Sequence, residues 1–280
     1  GILLSMTRFD RILEIDPDNR VARVQPGVRN LAVSEAAAVH GLFYAPDPSS
    51  QFASSIGGNI AENAGGMRTP KYGVTKHSVL GLEVVTATGE VIRTGGKTVK
   101  NVVGFDLTGL MCGSEGMLGI ITEATLKLLP MPEATATVRA SFLTMEAACK
   151  VLTKFTPEGL LPMAMEVVDR NCIGAIEENF AFGLSPDAGA ILIVAVDGFK
   201  EEVERNAALV AQSLYLTQTA ERYIAQGSTR MAVKLLRAAL PGGEGSETRP
   251  LVPETVAAAY KALHGDRELG QVRLPERTGV

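Results

Sequence analysis

Asn59 and Asn63 stand four residues apart inside Ser54-Ser55-Ile56-Gly57-Gly58-Asn59-Ile60-Ala61-Glu62-Asn63-Ala64-Gly65-Gly66, where four glycines and four Ser or Ala residues strip the backbone of bulk. Such a stretch can lie against something large and flat. Glycines permit positive φ and close approach of the main chain, the exposed N–H groups of a turn can hold phosphate or ring oxygens, and asparagine amides add directed hydrogen bonds. The competing reading is a tight loop joining core elements, because glycine pairs are common turn signals. Pro46-Asp47-Pro48-Ser49 precede the run. Further along, Thr98 to Leu110 lead into Gly113-Ser114-Glu115-Gly116-Met117-Leu118-Gly119-Ile120-Ile121-Thr122-Glu123-Ala124. Gly57, Gly58, Gly65 and Gly116 open backbone donors, and Ile120 and Ile121 offer an apolar face to a ring. The same two isoleucines also read as a buried strand, and the two readings are compatible.

The elements that must position these loops follow from local pattern. Arg11–Ile15 and Val21–Pro26 read as strands joined by the turn Asp16-Pro17-Asp18-Asn19, a hairpin. Asn30 is placed to cap a helix running to His40 and ended by Gly41, with Leu31, Ala37 and Ala38 on its apolar side. Val79–Thr86 and Glu90–Arg93 form a second hairpin around Ala87-Thr88-Gly89. Asp106–Cys112 reads as a short helix and Leu118–Leu129 as a long strand. Pro130 and Pro132 end that strand and mark a boundary. Beyond it the pattern predicts a strand over Ala134–Phe142, a helix over Met145–Phe155, strands over Ala164–Val168 and Ile191–Val196, and a helix over Glu201–Leu214. Hairpins with interspersed helices define an α+β chain, not the regular alternation of a doubly wound sheet.

Composition narrows the function. The 280 residues are 46% hydrophobic and 21% charged, enough for about two domains with a sizeable core. A net charge of −4 argues against nucleic acid as a partner, and 5% aromatic residues without Trp disfavour a stacking platform. No uncharged apolar run of about 18 residues is present, so no membrane span is expected. Cys112, Cys149 and Cys172 are far apart and read as small hydrophobes in a reducing compartment. Neither they nor His40, His77 and His264 have metal-ligand spacing. Gly57-Gly58 lacks the Gly-x-Gly-x-x-Gly spacing of a nicotinamide site.

The phrases PDPSSQFASSIGGNIAENAGGMRTPKYGVTKHSVLGLEVVTATGEV and KNVVGFDLTGLMCGSEGMLGIITEATLKLLP resemble the FAD-linked oxidases of the vanillyl-alcohol oxidase superfamily, of the glycolate oxidase and D-lactate dehydrogenase type. The resemblance runs from about Ile2 to about Val210. It implies a PCMH-type FAD-binding domain over residues 1–130, lacking its N-terminal part, and a partial ferredoxin-like FAD-linked oxidase C-terminal cap over 131–226. A divergent, loosely ordered tail over 227–280 completes the expected layout; a frameshift or a fused unrelated end would look the same. The family's upstream glycine-rich loop, and its downstream histidine and Glu–His motifs, are not recognisable in the chain.

The cofactor implied is FAD. Its contacts carry over to Pro46, Asp47, Ser49, Ser54, Ser55, Gly57, Gly58 and Asn59 beside the flavin and pyrophosphate, and to Glu62, Asn63, Ala64 and Gly65 next to them. Glu115, Gly116, Gly119, Ile120 and Ile121 match the stretch that packs on the adenosine part. The alternative for Glu115 is a solvated loop acid. No catalytic base and no metal site are assigned. The resemblance implies oxidation of a small 2-hydroxy acid, glycolate or D-lactate, to the 2-oxo acid, with electrons leaving to a non-NAD acceptor through partner subunits. The alternative is a non-catalytic FAD-binding fragment or assembly subunit. The expected location is cytoplasmic, with peripheral attachment to the inner membrane through partners as a variant.

Overall fold

A computed structural model describes residues 4–155, 159–185, 187–228, 231 and 232. The chain divides into two compact units, the first made of residues 1–134, 162–165 and 197–199 and the second of residues 135–161, 166–196 and 200–280. The tail expected from residue 227 onward lies, apart from residues 227, 228, 231 and 232, outside the described residues.

In the first unit the chain runs β1 (Ile12–Asp16), β2 (Val21–Val24), α1 (Asn30–Ala38), β3 (Leu42–Phe43), α2 (Ile56–Glu62), α3 (Thr69–Tyr72), β4 (Val79–Val85), β5 (Val91–Gly95), α4 (Leu107–Met111), β6 (Ile120–Lys127) and β7 (Leu129–Pro130). Five strands form one sheet in the order β1-β2-β6-β4-β5, with every neighbouring pair antiparallel. β3 and β7 pair separately. Side chains alternate across the pleat, so Ala22, Val24, Leu82, Val84, Ala124 and Leu126 are buried on one face. Against them pack Val33 and Ala37 of α1, Ile56 and Ile60 of α2 and Met111 of α4. The other face carries a charge ladder: Arg23 on β2 reaches Glu14 on β1 at 3.5 Å and Glu123 on β6 at 3.1 Å, and Arg93 on β5 pairs with Glu83 on β4. Lys97, just beyond β5, reaches Glu14 at 2.6 Å and Asp16 at 2.9 Å, tying the two outermost strands. Bonds from Asn19 and then Lys97 hold the Asp16 carboxyl down to about 2.

The two expected hairpins are present, as are α4, capped by Asp106, and the long strand β6. Asn30 does not cap α1. The cap position is Arg29, which makes no side-chain bond there, and Asn30 is buried inside the first turn. The buried side of that helix is Asn30, Val33 and Ala37, while Leu31 is half-buried and Ala38 exposed.

The second unit contains β8 (Ala134–Phe142), α5 (Met145–Phe155), β9 (Ala164–Asp169), α6 (Arg170–Phe180), β10 (Ala190–Gly198) and α7 (Lys200–Ala225). A few terminal residues of β8, β9 and β10 group with the first unit. The sheet order is β8-β10-β9. β10 lies in the middle, which explains why Ala190-Ile191-Leu192-Ile193-Val194-Ala195-Val196 reads as an unbroken apolar run. α6 is an addition to the sequence expectation. Asp169 caps it by accepting the Cys172 N–H at 2.8 Å, and Ile173 is its buried anchor. Among the described residues no helix is long and apolar enough to cross a membrane.

Cys112 is buried under the first sheet, and burial pushes its thiol up to about 11, whereas Cys149 and Cys172 are exposed. Since only the thiolate reacts, an aromatic disulfide reagent at pH 8 should modify Cys149 and Cys172 in the native protein and reach Cys112 only after denaturant is added. Quantitative release of three equivalents without denaturant would contradict this placement.

Candidate functional site

The glycine run is not the tight turn that its sequence suggests. It opens helix α2, and Gly57 and Gly58 are helical residues without positive φ. Ser55 is the N-cap, its Oγ accepting the Gly58 N–H at 3.3 Å. Ile56 and Ile60, four apart, are fully buried and attach the helix to the core. The helix ends at Asn63, whose φ of 53° is the left-handed conformation that asparagine tolerates. Its side-chain Oδ1 then accepts the Lys76 N–H at 2.8 Å, fixing the chain that follows.

Beneath α2 lies a buried amide pair. Asn59 donates to Asn30 Oδ1 at 2.9 Å and to Ser54 Oγ at 3.2 Å, and Asn30 donates to the Pro46 carbonyl at 2.9 Å. The Asn30 backbone N–H donates to the Ser54 carbonyl at 2.9 Å. Three stretches remote in sequence therefore meet through two side chains. Leaving one such buried group unpaired costs about 1–3 kcal/mol.

The segment after the helix is held as tightly. The Ala64 carbonyl accepts both the Thr75 N–H at 3.0 Å and its hydroxyl at 2.7 Å. Asp47 is buried, accepts the Arg68 N–H at 3.0 Å and pairs with Arg68 Nε at 3.4 Å. Gly66 is glycine because a Cβ there would lie 2.2 Å from the Asp47 carbonyl oxygen, and Gly57 because one would lie 2.6 Å from Pro26 Cβ.

Gly58 differs. It is exposed, and a Cβ on it would meet only Ser55 Oγ, at 3.3 Å. Its φ does not demand glycine, and a Cβ there would need only the Ser55 hydroxyl to give by a few tenths of an ångström. Glu62 and Gly65 are exposed too. Gly113 and Glu115 come to the same place, their N–H groups donating to the carbonyls of Ile60 and Ala61, both at 2.9 Å. Glu115 has a φ of 55° and Gly116 one of 73°, and a Cβ on Gly116 would meet nothing. The two glycine-containing segments thus adjoin, leaving an exposed strip over Gly58, Glu62, Gly65, Glu115 and Gly116 in which the two glutamates are the only side chains.

The other sequence-selected residues fall into two groups. Pro46, Asp47 and Asn59 are buried beneath the strip, with Ser54, Asn63 and Ala64 half-buried around it and Ser49 exposed. Gly119, Ile120 and Ile121 lie at the start of β6, where Ile120 pairs with Val85 and Ile121 with Val84. Both readings of the isoleucines apply, divided between them: Ile120 is 42% exposed, and Ile121 packs on the core. Ser55 also lines an open cleft of about 660 Å³, together with Met6, Asp10, Gly27, Arg29 and Ala53. Sequence reasoning missed these cleft residues, and also the exposed apolar set Val102, Val103, Phe105 and Met117 flanking α4, each at least 77% exposed. The quoted Thr98–Leu110 phrase contained three of them, and nothing local distinguishes their exposure from burial. Among the described residues no group of His, Cys, Asp or Glu is arranged to hold a metal ion.

Two protein-family profiles match: an FAD binding domain over residues 1–95 and the C-terminal domain of FAD linked oxidases over residues 131–261. The chain belongs to the FAD-linked oxidases, and its family cofactor is FAD. It is 48% identical over 206 residues to glycolate oxidase subunit GlcD of Escherichia coli strain K12, an alignment covering 74% of this chain and 41% of that protein. D-lactate dehydrogenase of Archaeoglobus fulgidus is 40% identical over 215 residues, covering 76% of this chain and 47% of that protein. The chain thus spans less than half the length of either relative. Among solved structures, alkyldihydroxyacetonephosphate synthase superposes with a TM-score of 0.63 at 23% identity, covering 76% of this chain and 41% of that one, a likeness of fold.

The packing separates the glycines by role. Gly57→Ala should destabilise the protein by about 1–3 kcal/mol through overpacking against Pro26, and Gly66→Ala by at least as much. Gly58→Ala should change stability by less than about 1 kcal/mol, since alanine favours a helix and meets nothing but a hydroxyl. Urea denaturation of the three variants checks this; equal losses would mean that Gly58 is also a packing residue.

Proposed function

We propose that the chain is the FAD-binding part of an oxidoreductase that oxidises a small 2-hydroxy acid, glycolate or D-lactate, to the 2-oxo acid and passes the electrons to a non-NAD acceptor carried by partner subunits. The observation that carries the reading is Gly58. An exposed helical glycine whose φ does not require glycine and whose added Cβ would crowd only the Ser55 hydroxyl suits a surface against which a flat ring system or a pyrophosphate lies. The names of the relatives supply the substrate class and the word subunit.

In this reading Gly58, Glu62, Gly65, Glu115 and Gly116 face the cofactor. Ser54, Ser55, Gly57, Asn63 and Ala64 shape the backbone around it, and Ser49 lies at the rim. Pro46, Asp47 and Asn59 act from below, by holding that backbone still. Gly119, Ile120 and Ile121 give the adenosine end an apolar edge. When bound, FAD supplies the acceptor for the hydride from the α-carbon; the protein binds, orients and tunes it. Glycolate and D-lactate differ by one methyl group, worth about 1–3 kcal/mol in a pocket.

Purified with FAD, the protein should quench flavin fluorescence saturably, and Gly58→Val should abolish that quenching while the protein stays folded. With flavin retained, glycolate or D-lactate should bleach the absorbance near 450 nm, a typical flavin wavelength, and an artificial acceptor should restore it while NAD leaves it unchanged. A flavin-loaded protein inert to every short 2-hydroxy acid would overturn the substrate class and favour the non-catalytic alternative. Equal flavin binding by Gly58→Val would overturn the strip.

A further inference from the structure

α3 follows the glycine run directly and is one turn long. None of its residues is fully buried, and a helix of four residues has no stability of its own. What fixes it is polar contact at both ends. At the start, Asp47 holds Arg68, whose guanidinium lies 5.6 Å over the Phe43 ring. At the end stands Asp197, which groups with the first unit and whose side chain is completely buried. Its carboxylate accepts from Lys71 Nζ and from the Tyr72 hydroxyl, and Lys71 Nζ also donates to the Asp197 carbonyl at 3.0 Å. The Tyr72 ring meets Phe43 edge-on at 5.7 Å, so the two anchors share one aromatic contact.

A buried carboxylate is costly unless paired and hydrogen-bonded. Asp197 has both kinds of partner, and both come from the last two residues of a four-residue helix. A surface-covering role would be met by an apolar residue at either position. The arrangement instead fixes α3 in one place, and with it Gly65 and Gly66, because the Gly66 N–H donates to the Thr69 hydroxyl and the Gly66 carbonyl accepts the Thr69 N–H, both at 3.1 Å, while Gly66 closely approaches Asp47.

We propose that Asp197, through Lys71 and Tyr72, is a positioning residue for the glycine segment of the flavin site. The inference rests on the reading that this segment carries FAD. Asp197 touches no cofactor and acts by keeping the Ala64–Gly66 backbone in its binding geometry.

The test uses the full chain as wild type and as four variants: Asp197→Asn, Tyr72→Phe, which removes one hydroxyl alone, and the pair Lys71→Met and Lys71→Arg. Hydrogen–deuterium exchange of peptides spanning residues 63–73 should accelerate by about tenfold in Asp197→Asn, Tyr72→Phe and Lys71→Met, the scale of one charge-assisted bond. Peptides from β4 and β6 should keep the wild-type rate. FAD titration followed by flavin fluorescence should give about tenfold weaker binding in the same three, and Lys71→Arg should return within about twofold of wild type because it keeps the charge and a donor. Unchanged exchange over residues 63–73, or acceleration spread evenly over β4 and β6, would overturn the positioning role. So would faster exchange with undiminished FAD affinity. Absence of FAD binding in the wild type would instead remove the flavin assignment itself, and is told apart by preceding any substitution.

Discussion

The Asn30–Asn59 amide pair is the constraint on which the site depends. Two side chains that would ordinarily be solvated lie in the core beside Ile56 and Ile60, and one bond joins them: the Asn30 Oδ1 accepts from Asn59. Their bonds to the Pro46 carbonyl and to Ser54 Oγ fix the approach of the Pro-Asp-Pro segment to the start of α2. An apolar pair of similar volume would fill the space without choosing one register. The amides choose it, because a displaced α2 would strand at least one buried donor.

Above this pair the molecule is layered. The sheet supplies an apolar floor through Ala22, Val24, Leu82, Val84, Ala124 and Leu126. Isoleucines fasten α2 to the floor, and glycines at 57 and 66 admit Pro26 and the Asp47 backbone as neighbours. In the exposed layer Gly58, Gly65 and Gly116 carry no side chain, and Glu62 and Glu115 are the exceptions. A rigid base with a stripped surface is what preorganised binding requires, since little is then left to order when a ligand arrives. The strip owes its rigidity to bonds made from below and from its ends.

Much of the first sheet was legible in the sequence because strand alternation is a local property. Ala22 and Val24 point in while Arg23 points out, and Leu82 and Val84 do the same around Glu83. Helix α2 was less legible, since Gly57 and Gly58 occupy its first turn and glycine argues for a loop. The Ser55 cap and the Ile56–Ile60 spacing were the signals that could have found it. α6 escaped because Gly174 interrupts it and Ile173 is its only fully buried anchor. Asn30 was misread for a different reason: an asparagine before an apolar pattern has the form of a cap, and its partner is 29 residues away. The Lys71–Asp197 pair spans 126 residues, and no local pattern encodes a contact of that range. The flavin-family resemblance singled out stretches that the fold brings side by side but could not say which residues face outward and which support them.

The Lys97 contacts to Glu14 and Asp16 bear on how this sheet behaves toward other molecules. β1 and β5 are its two margins, and a sheet margin presents unpaired backbone groups to which a foreign strand can add. Here one margin carries Glu14 and Asp16, the other carries Arg93, and Lys97 draws charge across both. A second chain extending the sheet would have to strip water from those ions without supplying partners for them. Charged side chains on the outer strands thus oppose strand addition at either margin.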